Sequence, residues 1–170
     1  MIELPQQDPC EICETVAGRG IVPVVAESEL TLTVVIPVQF EVGQCCVVTR
    51  RHAGTLLDLT DEESAAVLKA ARDVARALLA TFEPLGILTF QNNGVYSGQE
   101  VPHYHLHVVP RQPGSDWGIG PPQLEKFPSA GRAPGTVHDP SSDAARRQRA
   151  RVDADTLART AALIRGNLPD

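Results

Sequence analysis

The chain has 170 residues, 42% of them hydrophobic, and a formal net charge of −6. That length suits one domain with a full core, and the composition is that of a globular protein in water. The acidic balance argues against nucleic acid or an acidic membrane as the main partner, because both reward a basic surface; a local phosphate pocket remains compatible with it.

The N-terminus, Met1 to Cys10, has no basic start and no apolar run, so it does not read as a signal peptide. No segment is apolar for long enough to span a membrane. A cytoplasmic location is expected, with the four cysteines reduced. Cys10 and Cys13 then read as a metal-binding or redox pair, or as two unrelated buried thiols, in preference to a disulfide.

Residues 22–27 and 30–36 alternate as two strands with a short turn between them. Residues 37–43 read as a loop and 44–50 as a third strand. Cys45 and Cys46 fall inside that strand, where free cysteine behaves as a small hydrophobe. Thr60 with Glu63 makes a capping box, and Asp61 and Glu62 suit the positive end of a helix dipole. Val67, Leu68, Ala71, Val74, Ala75, Leu78, Leu79 and Phe82 follow at helical spacing until Pro84 and Gly86 end the helix. Residues 86–92 and 103–109 read as the fourth and fifth strands. Beyond Pro110, residues 111–142 are rich in Gly, Pro and Ser and are expected to be irregular. Residues 141–168 read as a second helix. Arg146, Arg147, Arg149 and Arg151 crowd its first half, as a phosphate-facing patch or a solvated face.

Three of the five histidines, His103, His105 and His107, alternate with Tyr104 and Leu106. On a strand such residues share one face. Consecutive same-face residues lie roughly 6–7 Å apart, too far for all three to meet one metal ion about 2 Å from each nitrogen. One histidine as a ligand, with the others doing chemistry, is easier to build.

The run from Gly98 to Arg111, G-Q-E-V-P-H-Y-H-L-H-V-V-P-R, resembles the signature of the histidine-triad (HIT) superfamily, and the upstream Gln91 to Gly94 and the order of elements match as well. The resemblance covers residues 8–112. It implies an α+β, HIT-like fold: a five-stranded antiparallel sheet with one long packed helix, in a domain over 1–112. Residues 113–170 then form a C-terminal extension, an irregular segment and a helix, packed on the same domain. It also implies a homodimer.

For function, the resemblance implies hydrolysis of a phosphoramidate or phosphoanhydride bond in a small nucleotide-like substrate, with His105 as nucleophile. A neutral imidazole is competent for that role near pH 7, and the adduct it forms is labile to water. His107 would contact phosphate oxygens. Gln99, with backbone N–H groups around Glu100, would stabilise developing charge. Asn92 and Gly98 would border the phosphate and ribose, and Trp117 could cap the pocket or anchor the irregular segment. His107 stands where a nucleotidyl-transferase branch of the superfamily carries Gln, which favours hydrolysis. Transfer to another acceptor, and ligand binding without turnover, are the alternatives. The resemblance also implies a closed structural zinc site of Cys10, Cys13, His52 and His103. It places a ribose acceptor just after the second strand, where this chain has Val35–Ile36–Pro37–Val38, so weak discrimination for ribose hydroxyls is expected.

Overall fold

The computed structural model describes residues 2–113 and 150–169. Five strands form one antiparallel sheet: β1 (Val24–Glu27), β2 (Thr31–Val35), β4 (Cys45–Thr49), β6 (His105–Arg111) and β5 (Gly86–Phe90), in the spatial order β1-β2-β4-β6-β5. Helix α2 (Asp61–Phe82) lies across one face. Val67, Ala71, Val74, Ala77 and Leu78 on its inner side pack against Val35, Cys45, Val47, Leu106 and Val108 of the strands. Two of the helically spaced leucines, Leu68 and Leu79, face outward and are exposed.

The capping box forms as its residue types require. Thr60 Oγ1 accepts from the Glu63 N–H at 3.1 Å, and the Glu63 carboxylate accepts from the Thr60 N–H at 2.9 Å. The helix ends at Glu83, whose φ of 47° is left-handed, one residue before Pro84.

Four elements differ from the expectations. The N-terminal region contains a short helix, α1 (Glu11–Val16), too brief for a periodic signal. Ile12 and Val16 on this helix pack over Leu32, Val34, Cys46 and Val48, the sheet face opposite α2. The expected loop at 37–43 contains a two-residue strand, β3 (Val38–Gln39), paired with β7 (Ala150–Arg151) from the far end of the chain. Such a pairing has no local cause that a sequence window could show. The last helix, α3, runs only over Ala154–Arg165, because Asp153 caps it by accepting from the Thr156 N–H at 2.9 Å. Arg151 therefore lies on a strand, whereas Arg146, Arg147 and Arg149 lie outside the described residues. The fifth strand begins at His105, two residues later than expected. The His103 N–H bonds the Val101 carbonyl and the Tyr104 N–H bonds the Ala53 carbonyl, which turns His103 away from the ladder.

Helix α3 inserts Leu157, Ala161 and Ile164 into the same core that α2 covers. No helix among the described residues is long and apolar enough to cross a membrane.

Candidate active site and metal centre

Two centres share the segment 103–107. The first lies where α1 meets the loop after β4. Cys10 stands at the N-terminal boundary of α1, without a side-chain capping bond, and Cys13 lies three residues on, so one helix face carries both thiols. His52 follows β4, and His103 precedes β6. Their ligand atoms all lie within 4.8 Å of one another. Cys13 Sγ is 3.2 Å from His52 Nδ1 and 3.5 Å from His103 Nδ1, and Cys10 Sγ is 3.7 Å from His103 Nδ1. Zinc–ligand bonds of about 2.0–2.3 Å in a tetrahedron put ligand atoms about 3.3–3.8 Å apart, so the set fits zinc.

The second nitrogen of His103 supports that fit. Its Nε2 lies 2.8 Å from the Thr49 carbonyl, an obligate acceptor, so Nε2 holds the proton and Nδ1 offers its lone pair to the thiols. Burial pushes His103 down to about 4, which keeps the ring neutral as a ligand must be. In the absence of a cation, burial and the neighbouring Cys10 push the Cys13 thiol up to about 11. A metal must therefore displace protons from the thiols on binding. All four residues expected as ligands are brought together.

The second centre is on β6. His105 pairs with Val48 and His107 with Cys46 across the β4–β6 ladder, and His107 also pairs with Phe90 of β5. Both imidazoles thus stand on the sheet face opposite α2. Their rings meet edge to face, centroids 5.1 Å apart. His105 Nδ1 lies 2.8 Å from the His103 carbonyl, so Nδ1 carries the proton and Nε2 the lone pair. Burial holds His105 below the ordinary imidazole range, opposed in part by the nearby charges of Glu100 and Glu11.

His107 is gripped from three sides. Phe90 stacks on it with centroids 4.4 Å apart, and Phe40 meets Phe90 edge-on. Gln44 Nε2 and Cys46 Sγ both lie 3.0 Å from its Nδ1. The sequence assigns no role to Gln44 or Phe90 and reads Cys46 only as a small hydrophobe within its strand. The signal available was period two: Gln44 and Cys46 alternate on the strand that faces the triplet.

The side chain of Gln99 is committed to backbone. It accepts from the Gly94 N–H at 2.6 Å and donates to the Gly54 and Val101 carbonyls, each at 2.8 Å. It therefore ties the 94–101 loop to the segment after β4. Asn92 donates to the Gly98 carbonyl at 3.2 Å. Gly98 closes a 3-10 turn at φ +83°, a left-handed conformation that other residues rarely adopt. Glu100 is exposed, and Trp117 lies outside the described residues. A separate cavity of about 490 Å³ between the β1–β2 hairpin and α2 contains none of the histidines.

An antiparallel sheet with a paired imidazole face and a Cys₂His₂ cluster beside it defines a histidine-triad class of protein. The comparisons agree: the HIT domain family model matches residues 24–114, more than half of the chain. The chain belongs to the HIT family. It is 35% identical over 111 residues to "Protein hit" of Bacillus subtilis, covering 65% of this chain and 76% of that one. It is 31% identical over 111 residues to the adenosine 5'-monophosphoramidase hnt1 of Schizosaccharomyces pombe, covering 65% and 80%. An AP-4-A phosphorylase of Mycobacterium tuberculosis is 32% identical over 115 residues, covering 67% of this chain but only 55% of that protein. Among solved structures, a Hit-like protein from Bartonella henselae superposes with a TM-score of 0.71 at 20% identity, covering 95% and 98%. A Zn-bound histidine triad protein from Mycobacterium smegmatis gives 0.63 at 23% identity, covering 91% and 94%. These two establish the shared fold.

Proposed function

We propose that the protein is a hydrolase of nucleotide-like phosphoramidates or phosphoanhydrides, acting through a covalent adduct on His105. The observation that carries this reading is the His105 Nδ1 contact to the His103 carbonyl, which leaves Nε2 as an oriented lone pair. In the first step Nε2 forms a bond to phosphorus, and the bond from phosphorus to the leaving nitrogen or oxygen breaks. The leaving group departs with the electron pair and takes up a proton. In the second step water attacks phosphorus, the N–P bond breaks, the lone pair returns to Nε2, and the water proton balances the one taken up. His107 contacts the phosphate oxygens. Gln99 holds the loop whose backbone N–H groups, around Glu100, face the developing charge, and Asn92 and Gly98 border the substrate. The relatives named for phosphoramidase and AP-4-A phosphorylase activity support a substrate of nucleotide type.

Zinc in the Cys10–Cys13–His52–His103 cluster has a structural part, because four protein ligands leave no open position. It pins the carbonyl-bearing residue His103 that orients His105. The proposal includes a cytoplasmic homodimer and the division into a 1–112 domain with a packed extension.

The test is turnover of a nucleoside phosphoramidate by the wild type and by His105→Asn. Loss of several orders of magnitude with nucleotide affinity nearly kept is expected. A loss of only a few-fold would contradict a covalent nucleophile. Release of free acid in the absence of an added acceptor separates hydrolysis from transfer.

A further inference from the structure

Gln44 is fully buried at the head of β4 and contacts two elements at once. Its Oε1 accepts from the Phe40 N–H at 2.8 Å. A backbone N–H can only donate, so this contact fixes which end of the amide is oxygen. The other end, the NH₂ group, then faces His107 Nδ1 at 3.0 Å. An amide NH₂ can only donate as well, so Nδ1 must accept. The Cys46 sulfur, 3.0 Å from the same nitrogen, can donate or accept weakly and so leaves the choice of tautomer to the amide. A proton on Nδ1 would face the Gln44 NH₂ group donor to donor.

We propose that Gln44 is a positioning residue that fixes His107 in the tautomer with its proton on Nε2, which makes His107 a hydrogen-bond donor to phosphate and not a base. The inference rests on the functional reading above for its meaning, although the tautomer itself does not. It divides the labour of the pair. His105 keeps its proton on Nδ1 and attacks with Nε2, while His107 keeps its proton on Nε2 and binds with it. The two neighbouring rings thus have opposite tautomers, each set by a neighbour outside the pair: a backbone carbonyl for His105 and a side-chain amide for His107.

The experiment is NMR of ring nitrogens in the ¹⁵N-labelled full chain purified with its zinc. In the wild type, His107 should show a protonated Nε2 and a bare Nδ1. A coupling through the hydrogen bond should connect Nδ1 to the Gln44 side-chain amide. A proton on Nδ1, or no such coupling, overturns the proposal, and this arm does not depend on any variant folding. Gln44→Glu keeps an oxygen for the Phe40 N–H but replaces the donor with an acceptor. The expected result is a proton on Nδ1. An unchanged His107 ring in this variant means that Gln44 serves Phe40 alone, which also overturns the proposal. Phosphoramidate turnover by the wild type is a separate arm. No turnover, with the tautomer as stated, removes the hydrolase reading and leaves the Gln44–His107 assignment standing. Turnover with a bare Nε2 removes the present inference only.

Discussion

Glu63 shows how one side chain serves two purposes. Its carboxylate caps α2 and also receives Arg51 at 2.6 Å, one residue before the zinc ligand His52. The Arg51 contact holds this carboxyl below its ordinary value of 4.5, against the opposing effect of burial. A lowered folded value stabilises the protein fully above the unfolded value, and that contribution is lost as pH falls through the folded value. Gln can still cap the helix, so Glu63→Gln isolates the charge. Urea unfolding should show the variant less stable than wild type near neutrality, with the gap closing as pH falls below the ordinary carboxyl value of 4.5. A gap independent of pH would contradict the ion pair's part. The thiols make a second residue-scale case. Burial pushes Cys45 up to about 12 and Cys46 well above its usual value, so neither should react with a maleimide in the native protein. Cys10 and Cys13 should become reactive on chelation, and Cys13→Ala should lower the melting temperature far more than it alters the intrinsic chemistry. Zinc affinity should weaken as pH falls, because protons compete for the thiols. The ribose side can be tested the same way. Ile36 packs into the apolar cluster behind β2, Gln39 is committed to the Ile36 carbonyl and the Gly43 N–H, and Glu41 faces Arg111 at 3.6 Å. Because residues 35–38 carry no side-chain acceptor and Gln39 is already bonded, a missing sugar hydroxyl leaves no acceptor unpaired in that segment, and 2′-deoxy and 3′-deoxy substrates should fall within about tenfold of the ribonucleotide in kcat/KM. A loss of a hundredfold would point to a residue that does read the sugar.

Elements differed in how plainly they could be read. Helix α2 was legible from end to end, because its start rests on a local cap and its face on a period of 3.6. Thr60→Ala should cost about 1 kcal/mol in chemical unfolding, with Thr60→Ser close to neutral. The five sheet strands were legible from alternation to within a few residues. The strand at His105 was placed too early because alternation continues through His103 while the backbone does not. What ends the ladder is the Tyr104 bond to Ala53, far away in the chain. Cys10 and Cys13 were legible from their spacing, His52 and His103 completed the metal cluster through the family resemblance, and the nucleophile proposed at His105 rests on that resemblance too, whereas the supports of His107 were not legible. Gln44, Cys46 and Phe90 reach it only through cross-strand register, which no single strand records.

At the scale of the molecule, the chain's two ends are both bound to the central sheet. Zinc ligands on α1 hold one end, and the insertion of Leu157, Ala161 and Ile164 beside α2 holds the other. Ile164 is fully buried, so Ile164→Ala should cost about 2–5 kcal/mol by leaving a cavity against the core. Sheet, α2 and α3 thus share one core, and His105 and His107 lie where the segment that carries His103 enters the sheet. The central claim is that His105 becomes covalently bonded to phosphorus. The most direct measurement is rapid acid-free quenching of wild-type protein with a nucleoside phosphoramidate, followed by peptide mass analysis. The account predicts a phosphorylated or nucleotidylated histidine at position 105, absent in His105→Asn. An adduct on His107, or turnover with no adduct at any histidine under conditions that trap phosphohistidine, would contradict it.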